Sequence, residues 1–257
     1  MSKAAIQLNK VSKKYGDSTV IDNISFTINQ GEFVTILGSS GCGKTTTLKM
    51  INGLIQPTSG TITVGDRRLS DWNLVSLRRH MGYVVQEIVL FPHMTIAENI
   101  AIVPKMLGWD SEKINSRVAD LLKLVQLEPD QYANRYPSQL SGGQQQRIGV
   151  ARALAANPPY VLFDEPFGAL DALTRVELQK QIKQIHQRLA NKTFLFVTHD
   201  INEALFLGQR VMVMNHGQIE QFDTPAEVVR HPATPFVKDL LSTVQQNHQL
   251  WEGTAND

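Results

Sequence analysis

The pattern of apolar and polar positions predicts a protein built from both strands and helices. Apolar residues alternate with polar ones over residues 6–8 and 24–28, which predicts short half-buried strands within the first thirty residues. Residues 33–37, 160–163 and 194–197 are continuous apolar runs, a pattern typical of strands buried on both faces of a parallel sheet. We therefore expect two kinds of strand in one molecule.

Between about residues 95 and 157 the apolar spacing becomes helical. Residues 118–125, for example, place four apolar side chains on one helical face. The strand pattern resumes afterwards, and residues 211–220 predict a hairpin. We expect a helical subdomain inserted between the strands of a single core.

Composition and charge argue against several classes of protein. The 25 lysines and arginines nearly balance the 24 aspartates and glutamates, and a net charge of +1 does not fit a nucleic-acid-binding protein, which normally has a strongly basic face. No apolar run approaches the roughly 18–20 residues needed to cross a bilayer, and the first residues lack the apolar core of a signal peptide. The single cysteine, Cys42, excludes an internal disulfide. We expect a cytoplasmic protein that reaches a membrane only through a partner.

A glycine-rich loop follows the apolar run at residues 33–37. Its sequence, GSSGCGKT, has the G-x-x-x-x-G-K-[ST] pattern of a P-loop, and a helix predicted over residues 45–54 completes the strand–loop–helix context. Glycines let backbone N–H groups approach phosphate, Lys44 can reach the β- and γ-phosphates of ATP, and the Thr45 hydroxyl can ligate Mg²⁺. Cys42 fits either a tolerated small residue or a redox-sensitive thiol. The predicted phosphate-binding residues are Gly38, Ser39, Ser40, Gly41, Cys42, Gly43, Lys44, Thr45 and Thr46.

Two adjacent acids, Asp164 and Glu165, follow the apolar run at residues 160–163. In a P-loop protein, an acid at the end of a buried strand holds Mg²⁺ directly or through water. Successive residues at a strand end point in different directions, so Asp164 can serve the metal while Glu165 serves the attacking water as general base. The pair predicts a nucleotide-hydrolysing site.

A second glycine-containing segment, Leu-Ser-Gly-Gly-Gln at residues 140–144, precedes a helix predicted from Gln145 onward. We call it the signature segment, and its place at a helix N-terminus favours an anion. It resembles the signature of ATP-binding cassette (ABC) ATPases, whose motifs occur along nearly the whole chain in the family's order.

The resemblance implies roles for five residues that their local patterns do not assign. It implies that Tyr15 stacks on adenine beside Val20, and that Gln86 contacts Mg²⁺ and the attacking water and couples to a membrane partner. Residues 169–171, Ala-Leu-Asp, match the D-loop, which places Asp171 at a dimer interface. His199 matches the histidine that contacts the γ-phosphate.

The resemblance also implies the fold and the assembly. The expected fold is α/β, a P-loop NTPase (RecA-like) core with an antiparallel β subdomain and an inserted helical subdomain. We expect one ABC ATPase domain, with residues 1–86 and 158–223 as nucleotide-binding core and β subdomain, 87–157 as helical subdomain, and 224–257 as a C-terminal extension that is frayed from Gln245. ABC chains pair head to tail, so a homodimer, or pairing with a similar chain, would complete two ATP sites. The residues that would act in trans are Ser141, Gly142, Gly143, Gln144 and Asp171.

Residues 87–100 and 103–109 narrow the resemblance to importers. The first stretch is similar to the importer branch, and the second to the ATPases of bacterial importers for osmoprotectants such as glycine betaine, carnitine, choline or proline. The implied partners are permease subunits docked near residues 86–93 and, indirectly, a solute-binding protein. The implied location is the cytoplasmic face of the bacterial inner membrane, as a peripheral subunit. Many relatives add C-terminal CBS domains that sense ionic strength, and from these 257 residues alone we do not expect regulation of that type.

Two alternatives stay open. The solute can be another small molecule, such as a polyamine, an amino acid or a sulfonate, because the ATPase subunit does not touch the solute. The other alternative is a soluble ABC ATPase that acts on nucleic acid or ribosomes. Such proteins usually carry long coiled-coil or zinc inserts or two cassettes in one chain, and the sequence contains none of these.

Overall fold

Strands and helices follow one another along the chain as the apolar pattern predicts. A computed structural model describes residues 3–86, 89–168 and 170–242. The strands in this part of the chain are β1 (Ala4–Tyr15), β2 (Ser18–Asn29), β3 (Phe33–Gly38), β4 (Ser59–Val64), β5 (Arg67–Arg68), β6 (Met81–Val84), β7 (Tyr160–Asp164), β8 (Thr193–Thr198), β9 (Arg210–Asn215) and β10 (Gln218–Asp223). The helices of this part include α1 (Lys44–Ile51), α2 (Leu74–Arg79), α3 (Ile96–Met106), α4 (Ser111–Leu124), α5 (Pro129–Tyr132), α6 (Gly142–Leu154), α7 (Ala172–Arg188), α8 (Ile201–Leu207) and α9 (Pro225–Arg230). None of them is both long and apolar enough to cross a bilayer.

The chain divides into two compact units. The first takes the described residues of Met1–Ser70 and Phe196–Asp257, and the second those of Asp71–Leu195, so that β8 runs across the boundary. This division groups β6 and β7 with the inserted helices. The division into core, helical subdomain and extension made from the sequence stays a prediction, and the fraying expected from Gln245 lies outside the described residues.

The first unit contains an antiparallel sheet with the strand order β2-β1-β4-β5. Strands β1 and β2 have twelve residues each and are longer than the short strands that the alternation predicts. The reason is a register shift between Leu8 and Val11, where the apolar spacing changes from two residues to three. Lys10 has a positive φ of 49° there, an irregularity of the kind found at β-bulges, and pairing continues beyond it.

The same unit holds the strand that leads to the P-loop. Every residue of β3 is buried, as the continuous apolar run predicts, and β3 pairs in parallel with β9. Strand β9 pairs with β10 through a two-residue turn, in which His216 and Gly217 have φ angles of 44° and 79°. Two positive φ angles are the mark of a type I′ hairpin, so the predicted hairpin is confirmed.

In the second unit a parallel strand pair packs against helices. Strand β6 pairs with β7, with Met81 opposite Tyr160. A Cβ on Gly82 would lie 2.4 Å from the carbonyl oxygen of Ala153, so glycine is what allows β6 to approach α6 so closely. Helix α4 buries the apolar face that its sequence predicts. The segment between these strands is helical, as expected from its spacing.

Candidate functional site

The P-loop joins β3 to α1 in the first unit. Gly38 ends the strand and α1 begins at Lys44, so the loop opens onto a helix N-terminus, where backbone amides attract phosphate. Gly43 has a φ of 104°, and a Cβ there would lie 2.3 Å from Ile21 Cδ1. Both the backbone angle and the lack of space therefore require glycine directly before the helix.

Lys44 lies folded across this loop and is 4% exposed. Its Nζ donates to the carbonyl oxygens of Gly38 at 2.8 Å and of Ser39 at 3.0 Å. The backbone N–H of Gly217 donates to the Cys42 carbonyl at 3.1 Å, which ties the loop to the β9–β10 turn. The Cys42 thiol is buried, the environment of an inert structural cysteine.

Tyr15 and Val20 lie on either side of the turn between β1 and β2. The Val20 carbonyl oxygen is 3.0 Å from the point that a Cβ on Gly43 would occupy, so β2 runs directly beside the P-loop. Tyr15 is half exposed, and Lys13 Nζ lies 4.8 Å from the centre of its ring. An exposed aromatic ring can stack on a base.

His199, the residue predicted to contact the γ-phosphate, also belongs to the first unit. It follows β8 directly and is exposed, whereas all six residues of β8 are buried. Asp200 caps α8 with its side chain. His199 therefore stands in a two-residue connection between a buried strand and a helix.

In the second unit, β7 delivers the two predicted acids. The strand is buried throughout and ends at Asp164, whose Oδ2 accepts a hydrogen bond from the Tyr83 hydroxyl of β6 at 2.9 Å. Burial raises the pKa of the Tyr83 hydroxyl and the charge of Asp164 raises it further, so the phenol stays protonated and donates. The sequence motifs assign no role to Tyr83. A tyrosine between apolar strand residues was the signal available, because a partly buried hydroxyl needs a hydrogen-bond partner.

Glu165 marks a sharp turn of the chain. Its φ of 45° is uncommon for a residue with a side chain, and the backbone reorients immediately after Asp164. Gln86, two residues after β6, lies against the same turn, since its Nε2 is 3.5 Å from the point that a Cβ on Gly168 would occupy. The structure thus brings Gln86 to the turn that follows the two acids. Glu87 and Ile88 lie outside the described residues.

The signature segment forms the N-terminus of α6. The helix begins at Gly142, three residues earlier than the sequence predicts, and Ser141 caps it. Ser141 Oγ accepts from the Gln144 N–H at 3.3 Å, and Gln144 Oε1 accepts from the Ser141 N–H at 3.0 Å, which makes a reciprocal capping box. Gln144 Nε2 also donates to the Tyr132 hydroxyl at 3.1 Å, a contact that sequence analysis did not anticipate.

The predicted D-loop lies next to the signature segment within this unit. Asp171 caps α7 by accepting from the Thr174 N–H at 3.1 Å, and this bond holds the pKa of the Asp171 carboxyl below its usual range. A Cβ on Gly143 would lie 2.4 Å from Thr174 Cγ2, so the first turns of α6 and α7 are in contact. Ala169 lies outside the described residues.

The predicted residues therefore form two groups. Tyr15, Val20, residues 38–46 and His199 belong to the first unit, and the remaining predicted residues belong to the second. Among the described residues, no group of three or more His, Cys, Asp or Glu is arranged to hold a metal ion. A nucleotide-bound Mg²⁺ needs only one or two protein carboxylates, because phosphates and water supply its other ligands.

The chain is similar to known proteins both in sequence and in structure. The family described as ABC transporter matches residues 21–168. The chain is similar to the glycine betaine/carnitine/choline transport ATP-binding protein OpuCA of Bacillus subtilis (strain 168), with 52% identity over 237 residues that cover 92% of this chain and 62% of that protein. It is also similar to the osmoprotectant import ATP-binding protein OsmV of Salmonella typhimurium, with 49% identity over 247 residues that cover 96% and 64%. The chain thus spans about three fifths of the length of these relatives. A solved dimeric structure of the ATP-binding cassette MJ0796 in a post-hydrolysis state, bound to ADP and Pi, matches with a TM-score of 0.74 and 36% identity over 86% of this chain and 98% of that one.

Proposed function

The chain belongs to the ABC transporter family, and we propose that it is the ATP-hydrolysing subunit of an importer for osmoprotectants of the glycine betaine, carnitine, choline and proline class. The observation that carries this proposal is the identity of 52% and 49%, over more than nine-tenths of the chain, to proteins named for that transport. The contacts of the P-loop and of Asp164 support the ATPase activity. The loop is suited to binding the phosphates of a nucleoside triphosphate, and the strand end to holding its metal ion.

ATP would be held by residues 38–46. The helix N-terminus at Lys44 offers backbone amides to phosphate, and the Lys44 ammonium already lies on the loop. Tyr15 would stack on the adenine, with Val20 beside it. The contact of β2 with Gly43 supports this assignment because it brings the hairpin of Tyr15 and Val20 to the loop.

The proposed Mg²⁺ ligands are the Thr45 hydroxyl, the Gln86 amide oxygen and the Asp164 carboxylate, the last directly or through water. All three offer hard oxygen donors, which Mg²⁺ prefers. When bound with ATP, the ion neutralises charge that develops on the β- and γ-phosphates. The Tyr83 hydroxyl would keep the Asp164 carboxylate in one orientation for this role.

Glu165 is the proposed general base. Its carboxylate would accept a proton from the water whose oxygen attacks the γ-phosphorus, while ADP departs in line on the opposite side. Gln86 would orient that water, and His199 would contact the γ-phosphate. The closeness of Gln86 to the turn after Glu165 supports a shared task for these two residues.

A second chain would complete each site. Ser141, Gly142, Gly143 and Gln144 of that chain would bind the γ-phosphate from the opposite side, with Asp171 at the interface. The capped N-terminus of α6 supports this role, since a helix start attracts anions. Bound ATP would hold two chains together, and hydrolysis would release them.

A groove of about 400 Å³ in the second unit is the proposed contact for the membrane-embedded permease. Its walls include the exposed apolar residues Val89 and Phe91 and the cationic residues Arg79 and Arg152. Arg152 Nη1 donates to the Val89 carbonyl at 2.6 Å, which fixes this wall to α6. Apolar walls with cationic groups fit an amphipathic helix that carries an acidic side chain. Docked there, the chain would be peripheral on the cytoplasmic face of the bacterial inner membrane, with a solute-binding protein acting on the other side.

The transport proposal is tested in cells. Deleting the gene should abolish uptake of at least one of labelled glycine betaine, carnitine, choline and proline at high osmolarity, and wild-type protein should restore it. Unchanged uptake of all four solutes would overturn the substrate class. Recovery of the protein with ribosomes or DNA, and never with membranes, would overturn the importer assignment.

The catalytic proposal is tested on the purified protein. Glu165→Gln should bind ATP and form the closed dimer but hydrolyse ATP ~10²- to 10⁴-fold more slowly, the contribution of a general base. Ser141→Arg should bind ATP as a monomer and fail to form the ATP-dependent dimer. Ser116→Arg, on the exposed face of α4, is the matched control for the added charge. Normal turnover in Glu165→Gln would remove Glu165 from the role of base.

A further inference from the structure

A buried carboxylate is hydrogen-bonded to the residue that precedes the exposed His199. Glu203, in α8, is 5% exposed, and its Oε2 accepts a hydrogen bond of 2.6 Å from the hydroxyl of Thr198. Thr198 is the last residue of β8 and is itself buried. The carboxylate therefore reaches the residue that immediately precedes His199.

The Thr198 hydroxyl also fixes the residue that follows His199. It accepts a hydrogen bond of 2.9 Å from the backbone N–H of Asp200. Asp200 Oδ1 in turn accepts from the N–H groups of Asn202 at 2.8 Å and Glu203 at 3.2 Å. Both neighbours of His199 are thus tied to the first turn of α8, through the Thr198 hydroxyl and the carboxylates of Glu203 and Asp200.

Packing alone does not explain an acid at this position. The neighbours Ile201 and Ala204 belong to an apolar cluster with Val211, Val213 and Val228. Burying a carboxylate costs free energy unless hydrogen bonds compensate for the lost hydration, and apolar residues in such places often stabilise a protein as well or better. A hydrogen bond to a charged acceptor is short, directional and strong, which suits a group that holds a loop in one conformation.

We propose that Glu203 is a positioning residue that acts through the Thr198 hydroxyl to hold His199 in the orientation needed at the γ-phosphate. This inference rests on the role proposed above for His199. Loss of the hydroxyl should therefore impair steps that involve the γ-phosphate and should spare the binding of ADP. If the hydroxyl had a purely structural role, its loss would instead lower ATP hydrolysis, ADP affinity and the melting temperature together.

The experiment uses Thr198→Val, Thr198→Ser and Glu203→Gln in the full chain. Thr198→Val, which removes the hydroxyl at nearly constant volume, should lower kcat for ATP hydrolysis by ~10-fold or more, since the lost bond has a charged acceptor. Thr198→Ser restores the hydroxyl and should recover most of that rate. Glu203→Gln keeps an acceptor but loses the charge, so its loss should be smaller than that of Thr198→Val. Thr193→Val is the matched control, because Thr193 is an equally buried threonine at the other end of β8.

A double-mutant cycle with His199→Ala separates the two levels of the proposal. If Thr198 acts through His199, Thr198→Val should add almost nothing to the loss in a His199→Ala background. A multiplied loss in that background, or an equal loss of ADP affinity, would overturn the positioning role. If His199→Ala alone leaves hydrolysis unchanged, the role proposed for His199 fails, and that result is read from the single variant.

Discussion

The hydrogen bond between Tyr83 and Asp164 leads to a prediction that can be tested by removing one oxygen atom, the hydroxyl of Tyr83. The Tyr83 hydroxyl donates to Asp164 Oδ2 at 2.9 Å, and Asp164 is 8% exposed at the end of a buried strand. Tyr83→Phe removes the hydroxyl and leaves the ring in place. We expect the carboxylate to lose a fixed orientation and the variant to need more Mg²⁺ for the same rate.

The size of the effect follows from the kind of bond that is lost. A hydrogen bond to a charged group contributes about 1.5–3 kcal/mol, or ~10- to 150-fold in an equilibrium or a rate. Tyr83 is only half buried, so a water molecule can replace part of what the hydroxyl supplies. We therefore expect the lower end of that range, a rise of ~10-fold in the Mg²⁺ concentration that gives half of the maximal rate.

The assay is ATP hydrolysis titrated with Mg²⁺, together with ADP binding in the absence of Mg²⁺. ADP binding without the metal should match the wild type, because the P-loop is unchanged. Tyr160→Phe, at the start of the same strand that ends at Asp164, controls for the loss of a buried tyrosine hydroxyl. A wild-type Mg²⁺ titration in Tyr83→Phe would show that the bond does not orient Asp164 for the metal.

Two further predictions concern stability. Gly143→Ala should lower the free energy of unfolding by about 1–3 kcal/mol, measured by denaturant titration, because the new methyl meets Thr174 Cγ2. In a Thr174→Ser background, which lacks that methyl, the same change should be nearly neutral, and an equal loss in both backgrounds would contradict the contact. Burial, and secondarily the charge of Arg117, lowers the pKa of Lys192 to about 8 in the folded chain. The unfolded chain then binds more protons between pH 8 and the ordinary lysine pKa of about 10.5, so the free energy of unfolding should rise with pH in that window, by at most ~3 kcal/mol. The free energy of unfolding of Lys192→Met should lack this rise. Parallel pH profiles of that free energy for the wild type and the variant would refute the prediction.

The parts of the molecule that the sequence predicts well are those set by neighbours along the chain. Residues 33–54 predict a strand, a glycine loop and a helix because apolar runs, glycines and helical spacing each act over a few residues. The turn at His216 and Gly217 is of the same kind. Length is predicted less well, since the bulge near Lys10 that prolongs β1 depends on pairing with β2.

Contacts between distant residues escape such reasoning. Tyr83 and Asp164 are 81 positions apart, and only the parallel register of β6 and β7 brings them together. Gly143 and Thr174 meet because two helices begin side by side, which no local pattern specifies. The spacing of residues along the sequence can indicate what each segment does. The contacts that hold each functional side chain in place depend instead on how strands and helices pack.

The residues that hold the predicted site residues in place nevertheless have one feature in common that can be recognised in a sequence. Tyr83 beside Asp164, Thr198 beside His199 and Tyr132 beside Gln144 each offer a hydroxyl to a predicted site residue or its loop. Two of the three lie on strands whose neighbouring residues are apolar, where a hydroxyl loses its water and must find a partner in the protein. On these two strands the hydroxyl donates to a carboxylate, that of Asp164 for Tyr83 and that of Glu203 for Thr198, whereas the Tyr132 hydroxyl accepts from Gln144 Nε2. A tyrosine or threonine near the end of an otherwise apolar strand, within a few residues of a predicted catalytic group, is therefore a reason to expect a positioning contact from the sequence alone.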